Sequence, residues 1–407
     1  MKNKQSLLFI VVNVLVAFLG FVRSFAFMKL FDFVELGTIT LISTAASLVS
    51  LLQLGLINGG YRIIALKENG SDEKVNNVVF TYITILGIIF SFSYVIMVSL
   101  NIYDSISIFI IAVVIGICML VTNWLTNMLI GAQEHRKLNF ANLISASASI
   151  VCLAFGYYFG LYGALLSLLI QPLLFIVIVF FVYKKAIPRR IDVDIKYIKY
   201  ILKFGFVPYL SGLFFLLYSQ IERWSVNTLI GTEGLGKMYL VFLTITLWSL
   251  IPTSINSLFF PKAVKAFAEK RYEALLTIIK KNFLLLICYS LIASSIILIL
   301  FSSLVEVLFP NHLPYVRLVY VLIPALVFKV LCDPITLFLN SIVKLRAIFY
   351  SDLLSIVCYI FSIFLLWRYD MFNIDYVVLS CVIYNFVKFA YLSIVYYFVR
   401  KDVVLQF

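Results

Sequence analysis

The chain has 407 residues, 63% of them hydrophobic and only 13% charged, with a formal net charge of +13. Soluble domains are roughly 45–50% apolar and about 25% charged, so a water-soluble fold is excluded. The basic surplus sits in the connections between long apolar runs, where lysine and arginine mark cytoplasmic loops rather than a nucleic-acid surface.

Twelve apolar runs are long enough to cross a hydrocarbon core of about 30 Å, and none alternates as a barrel strand would. The first, 7–29, follows Lys2 and Lys4. It is too long for a signal-peptide core and lacks a small-residue cleavage site, so it reads as a retained membrane helix. The second, 38–60, follows FDFVELG and ends at Leu54-Gly55-Leu56, shortly before Arg62. Runs at 78–100, 106–130, 140–159 and 161–183 complete a first half. A charged segment, KKAIPRRIDVDIKYIKYILK, then interrupts the pattern. This predicts an N-terminal lobe at 1–183, a linker at 184–202 and a C-terminal lobe at 203–407. The seventh run, 203–229, carries the adjacent pair Glu222 and Arg223, and the eighth covers 236–259. The basic stretch PKAVKAFAEKRYEALLTIIKKN has apolar residues at Val264, Phe267, Leu275, Leu276 and Ile279. It reads either as a helix lying in the membrane interface or as an extension of the eighth span. Runs at 282–301, 316–340, 347–366 and 374–399 follow. Pro172, Pro208, Pro252 and Pro324 lie inside spans, where a missing backbone donor favours a bend.

Alternate connections differ sharply in charge. With both termini inside, 24 basic residues face the cytoplasm and three, Lys29, Lys237 and Arg368, face outward. The positive-inside rule then sets the orientation. An internal repeat supports two like-oriented halves. At an offset of 199 residues, Leu36-Gly37 falls on Leu235-Gly236, and Leu41 and Leu48 fall on Leu240 and Leu247. Six spans per half give parallel repeats about an axis normal to the membrane.

Six ionisable residues lie well inside spans: Arg23, Glu222, Arg223, Lys329, Asp333 and Lys388. Each costs about 2.5–3.5 kcal/mol at the bilayer centre, so most must face protein or a wet cavity. Their net charge of +2 suits an anionic substrate. Lys329 and Asp333 are four apart and share a helix face, with Lys388 at similar depth. That trio reads as a neutralised structural cluster or as an ion-coupling site. Arg23 and Glu222 coincide at the 199-residue offset and predict a gate between the lobes, unless Arg23 reaches the headgroups instead. Arg317, near an outer boundary, is expected to do the latter.

Catalytic signatures are missing. His135 and His312 fall on opposite sides, the six cysteines are scattered singly, and no phosphate-cradling glycine loop occurs. The short outer connections, including one holding Asp32 and Glu35, leave no room for a glycosyltransferase or polymerase site.

The stretches FDFVELGTITLISTAASLVSLLQLGLINGGYRIIAL, GAQEHRKLNFANLI and FGFVPYLSGLFFLLYSQIERWSVNTLIGTEGLGKMYL resemble polysaccharide-biosynthesis (Wzx-type) flippases. These belong to the multidrug/oligosaccharidyl-lipid/polysaccharide (MOP) exporter superfamily. Leu54-Gly55-Leu56, Arg62 and Tyr239 stand at motif positions, and Glu222 replaces the family's usual aspartate. The resemblance implies an all-α membrane protein with twelve transmembrane helices, in two six-helix lobes around a central cavity that opens alternately to each side. The implied substrate is an undecaprenyl-diphosphate-linked oligosaccharide, flipped to the outer leaflet for O-antigen, lipopolysaccharide or capsule synthesis. Arg23, Arg62, Arg223, Lys329 and Lys388 are then expected to bind substrate, and Arg23, Glu222 and Asp333 to gate or couple to ions. No cofactor or metal is expected, and H⁺ and Na⁺ are both open as coupling ions. Expected partners are membrane lipids, a polysaccharide polymerase and a chain-length regulator, around a monomer in the bacterial cytoplasmic (inner) membrane with no nucleic acid bound. The alternative is a multidrug or organic-cation antiporter of the same superfamily, which would favour an acidic interior.

Overall fold

A computed structural model describes residues 2–65, 71–99, 106–371 and 373–405; the side chains of 2–11, 71, 94–99, 106–108, 207, 208, 211, 215 and 402–405 are outside the description. Lys67, the NIYDS connection and the side chains of Lys2, Lys4 and Pro208 therefore lie outside the described residues.

The described residues form an all-helical protein. In chain order its helices are α1 (Lys2–Leu30), α2 (Phe33–Leu51), α3 (Leu56–Ala65), α4 (Ser71–Ser99), α5 (Ile106–Gly131), α6 (His135–Val151), α7 (Leu153–Phe159) and α8 (Leu161–Val182). Then come α9 (Ile195–Ile230), α10 (Thr232–Lys237), α11 (Tyr239–Ala268), α12 (Tyr272–Leu308), α13 (Val316–Ser341), α14 (Leu345–Arg368) and α15 (Ile374–Leu405). Among the described residues, 11 helical segments are long and apolar enough to cross a membrane. They match every expected span except the seventh, which falls in the unbroken 36-residue α9.

Two compact units, Met1–Leu213 and Phe214–Phe407, divide the chain within α9. In each unit a hydrophobic core cluster gathers at the end that carries the lysine- and arginine-rich connections. In the first unit Leu56, Ile63, Val75, Trp124, Phe175 and Ile201 pack together there. In the second, Ala263, Leu275, Ile279, Phe338 and Leu392 do so.

Three spans differ from the expected continuous helices. The second breaks at Leu52–Gly55, where Leu54 (φ 49°) and Gly55 (φ 93°) take left-handed backbone. The break frees the carbonyls that end α2, and tyrosines satisfy two of them. Tyr209 donates to Leu51 O at 2.9 Å and Tyr82 to Leu52 O at 2.5 Å. Beyond it, α3 crosses the start of α9 at glycines. A Cβ on Gly205 would lie 1.9 Å from Gly55 O, and one on Gly59 would lie 2.1 Å from Ile201 O. The fifth span breaks at Cys152, between α6 and α7. The eighth begins as the short α10 and then runs on as α11 to Ala268. The basic stretch after it is thus no interfacial helix. It extends α11, turns at Lys270 (φ 55°) and enters α12. Helices α8, α11 and α13 continue through Pro172, Pro252 and Pro324.

Local geometry repeats between the halves. Helix α2 starts at Phe33 and α10 at Thr232, 199 residues on. Span four ends in a turn with Gln133 at φ 61°, closed by Glu134 N–H donating to Leu129 O at 2.8 Å. Span ten ends likewise, with Val343 at φ 61° and Lys344 N–H donating to Leu339 O at 2.9 Å. Asp32 and Glu35 serve the helix itself. They cap α2 reciprocally, with bonds of 2.8 and 3.2 Å. Such a box satisfies two otherwise orphaned amides.

The segment after α8 is tied to α4 of the same unit. Asn76 Nδ2 donates to Ala186 O, and Arg189 N–H and Asp192 N–H donate to Asn77 Oδ1 and Thr81 Oγ1. Lys74 pairs with Asp194 at 2.8 Å. The hydrogen bond from Lys74, and then that from Tyr197 N–H, hold the Asp194 carboxyl below the usual carboxylate range.

Candidate functional site

The first unit contains a cavity of about 310 Å³ among α1, α2, α5, α6 and α8. Arg23, seven residues from the end of α1, faces it. Its Nη1 donates to Gln171 Oε1 at 2.7 Å and to Ser149 Oγ at 3.0 Å. These bonds hold the guanidinium inside the unit, so reaching out to headgroups is not its arrangement here. Ser43, Ser47, Thr122, Asn123, Asn142 and Ser145 supply the rest of the polar wall. Among the described residues no carboxylate lines the cavity.

Most of these hydroxyls have already used their protons. Ser43 and Ser47 donate to Ile39 O and Ser43 O, one turn back on α2, each at 2.8 Å. Ser145 donates to Asn142 O, and Thr122 crosses to Pro172 O. A hydroxyl whose proton is committed keeps its lone pairs for something else. Ile115, Met119, Leu168 and Phe175 form an apolar wall.

The second unit contains a smaller cavity of about 120 Å³ lined by Glu222, Lys329, Lys388, Tyr218, Cys381 and Asn385, among others. Glu222 is only 5% exposed, and the Cys381 thiol donates to its Oε1 at 3.1 Å. Lys329 donates to Ser249 Oγ at 2.9 Å. Lys388 pairs with Asp352 Oδ1 at 2.5 Å. Tyr218 stacks on Tyr384 at 3.5 Å between ring centroids and meets Tyr359 edge-on. Asn282 and Asn256 join by a 2.9 Å hydrogen bond, and Asn256 lies against Asp333.

Asp352 corrects the inventory of intramembrane charges. It lies seven residues into α14, roughly 10 Å from its start, and is buried. The interior set therefore numbers seven with a net charge of +1, not six with +2. The expected trio of Lys329, Asp333 and Lys388 also changes, because the direct ion-pair partner of Lys388 is Asp352. A lone acid within the apolar run 347–366 was the signal that could have found it. The stripe of Ser43 and Ser47, together with Asn142 and Gln171 inside apolar runs, was the corresponding signal for the first cavity.

The other expected site residues lie elsewhere. Arg62 is exposed on α3, and its Nη1 donates to Phe204 O at 3.3 Å. Arg223 sits with its guanidinium carbon 5.2 Å from the centre of the Phe242 ring, a cation–π arrangement. Arg317, at the start of α13, pairs with Asp375 at 3.0 Å. The two residues expected to form a gate each have partners in their own unit, Arg23 in the first and Glu222 in the second. Among the described residues no cluster of histidine, cysteine and acidic side chains could hold a metal ion.

No protein-family model matches the chain, and its sequence matches no curated protein. Solved structures match over nearly all of it. An inward-facing MATE-family multidrug resistance transporter of the MOP superfamily has a TM-score of 0.74 at 14% identity, over 97% of this chain and 98% of its own. The lipid II flippase MurJ, in an inward closed conformation, has a TM-score of 0.71 at 14% identity, over 95% and 87%. A MOP superfamily transporter from Pyrococcus furiosus, described as having a binding pocket of reversed polarity, scores 0.63 at 15% identity over 98% and 95%. The chain has the fold of these membrane transporters.

Proposed function

We propose that this protein flips a polyprenyl-diphosphate-linked oligosaccharide across the bacterial cytoplasmic membrane by alternating access, with both termini cytoplasmic. One observation carries this choice over drug export: Arg23 stands in the first cavity without a carboxylate among the described lining residues. An organic cation would meet repulsion there, whereas a diphosphate-linked sugar chain carries the opposite charge. The second cavity adds no such preference, since Lys388 is paired with Asp352, and Lys329 has Glu222 and Asp333 near it. The MATE and MurJ likenesses are nearly equal in TM-score, so the fold does not separate the readings, and the charge of the first cavity is what supports this one.

Glu222 and Asp333 are the groups whose charge a coupling ion would change, and Arg223, Lys388 and Lys329 those that would answer a diphosphate. The test is deletion of the gene, followed by analysis of lipid-linked sugars. Accumulation of a repeat unit in the inner leaflet, reversed by the intact gene, is the expected result. Normal surface polysaccharide together with lost efflux of a cationic dye would transfer the protein to the multidrug class.

A further inference from the structure

The cavity of the first unit is too selective in its hydrogen bonding to be a general anion well. Its walls offer one cation, a set of hydroxyl lone pairs, a few side-chain amides and an apolar face. Ser43, Ser47, Thr122 and Ser145 each spend their proton on a backbone carbonyl. What they offer inward is acceptors. A ligand that satisfies them must bring donors. A deprotonated diphosphate brings none, and its multiple charges would meet a single guanidinium. A protonated amine brings donors, but Arg23 repels it.

Sugar hydroxyls are donors, and a sugar ring has an apolar face that suits Ile115, Met119 and Phe175. Arg23 is held in place by Ser149 and Gln171, and it matches one carboxylate, for which guanidinium geometry is well suited. Asn123 and Asn142 add amide groups that donate and accept. At about 310 Å³ the cavity lies at the low end of the range for small-molecule pockets, about 300–1,000 Å³. That is room for a sugar-sized ring and not for a repeat unit. Asn123 is exposed, so the cavity has a mouth at that edge through which one ring of a longer chain can enter.

We propose that this cavity is a subsite for one acidic sugar residue, a hexuronate or a sugar of the same chemistry, with Arg23 as its counter-ion. The inference rests on the flippase reading, since only that reading brings a sugar to the membrane interior. In it, the first unit reads the sugar and the diphosphate is left to cations elsewhere.

The test uses the full chain in detergent micelles and follows its thermal unfolding with added D-glucuronate, D-glucose, acetate or pyrophosphate. Glucuronate is expected to stabilise at concentrations roughly tenfold lower than glucose does, the worth of about 1.4 kcal/mol, with acetate inactive. Arg23→Gln should erase the difference between glucuronate and glucose, and Arg23→Lys should keep part of it. Ser47→Leu, which puts bulk into the cavity, should abolish the response to both sugars. This variant and Arg23→Lys keep the proposal open to refutation if Arg23→Gln does not fold. Equal responses to the two sugars, or a stronger response to pyrophosphate that depends on Arg23, would overturn it. Export assays in cells separate the two readings. Intact lipid-linked sugar export without glucuronate selectivity removes the subsite alone, and selectivity without export removes the flippase reading.

Discussion

Asp352 and Lys388 show how strongly a single buried charge constrains its neighbours. Their side chains are 4% and 16% exposed and meet at 2.5 Å. Removing one partner of such a pair typically costs about 3–5 kcal/mol, while replacing both by apolar groups is often neutral. Lys388→Met should therefore lower the thermal stability of the detergent-solubilised protein markedly. Lys388→Met with Asp352→Leu should recover most of the loss. If the double variant unfolds as early as Lys388→Met alone, the two charges do not counterbalance each other. Lys388 was named from the sequence and its partner was passed over. A lone aspartate five residues inside an apolar run was visible, but only the packing of α14 against α15 shows where its carboxylate goes. Asp32 and Glu35 are the opposite case. The D-x-x-E spacing before an apolar run is a helix-start signature, legible in advance and here realised.

Helices were easier to read from the sequence than their interruptions. Apolar length predicts a span because the bilayer imposes it. It does not predict the break at Leu52–Gly55, since the apolar run passes through it unchanged. What stabilises that break is remote in sequence: hydroxyls from Tyr82 and Tyr209, and the glycine crossing with α9. The crossing is unusually unforgiving. A methyl on Gly205 would strike Gly55 O and Gly59 N, at 1.9 and 2.4 Å, and these are backbone atoms that cannot rotate aside. Overpacking typically costs about 1–3 kcal/mol, so Gly205→Ala should cost at least that in thermal stability, with Gly205→Val worse. Gly212, with nothing within 4 Å of its added Cβ, is the control on the same helix and should accept alanine with little loss. Equal tolerance at both positions would refute the crossing. The helical extension of α11 past Pro261 was one of two readings left open, because an apolar stripe beside lysines fits an interfacial helix as well as an extended span.

At the scale of the molecule, charge distribution is the clearest signal. Lysine and arginine gather at alternate connections, and the same connections lie over the two cores. The orientation proposed from this makes a direct expectation. Arg190, with a side chain 67% exposed, is then expected on the cytoplasmic face. In intact cells an Arg190→Cys variant should resist a membrane-impermeant thiol reagent beyond the background of the native cysteines, and should react once the cells are opened. Labelling in intact cells would invert the map. The fold was legible because a bilayer leaves few solutions. The site was less so, because its cavity walls are made of serine, threonine and amides that individually look like ordinary helix residues.

The turns at Gln133 and Val343 belong to a set of four. Glutamine tolerates φ 61° poorly and valine worse, since a branched Cβ crowds the left-handed backbone. Lys270 (φ 55°) and Asp370 (φ 53°) take a similar torsion. All four corners close over six residues, from Glu134 to Leu129, Arg271 to Ala266, Lys344 to Leu339 and Met371 to Leu366. The side chain at the corner differs each time while the hydrogen-bond register does not. A corner that takes glutamine, lysine, valine and aspartate alike is held by its backbone closure, which leaves the letter there free to vary.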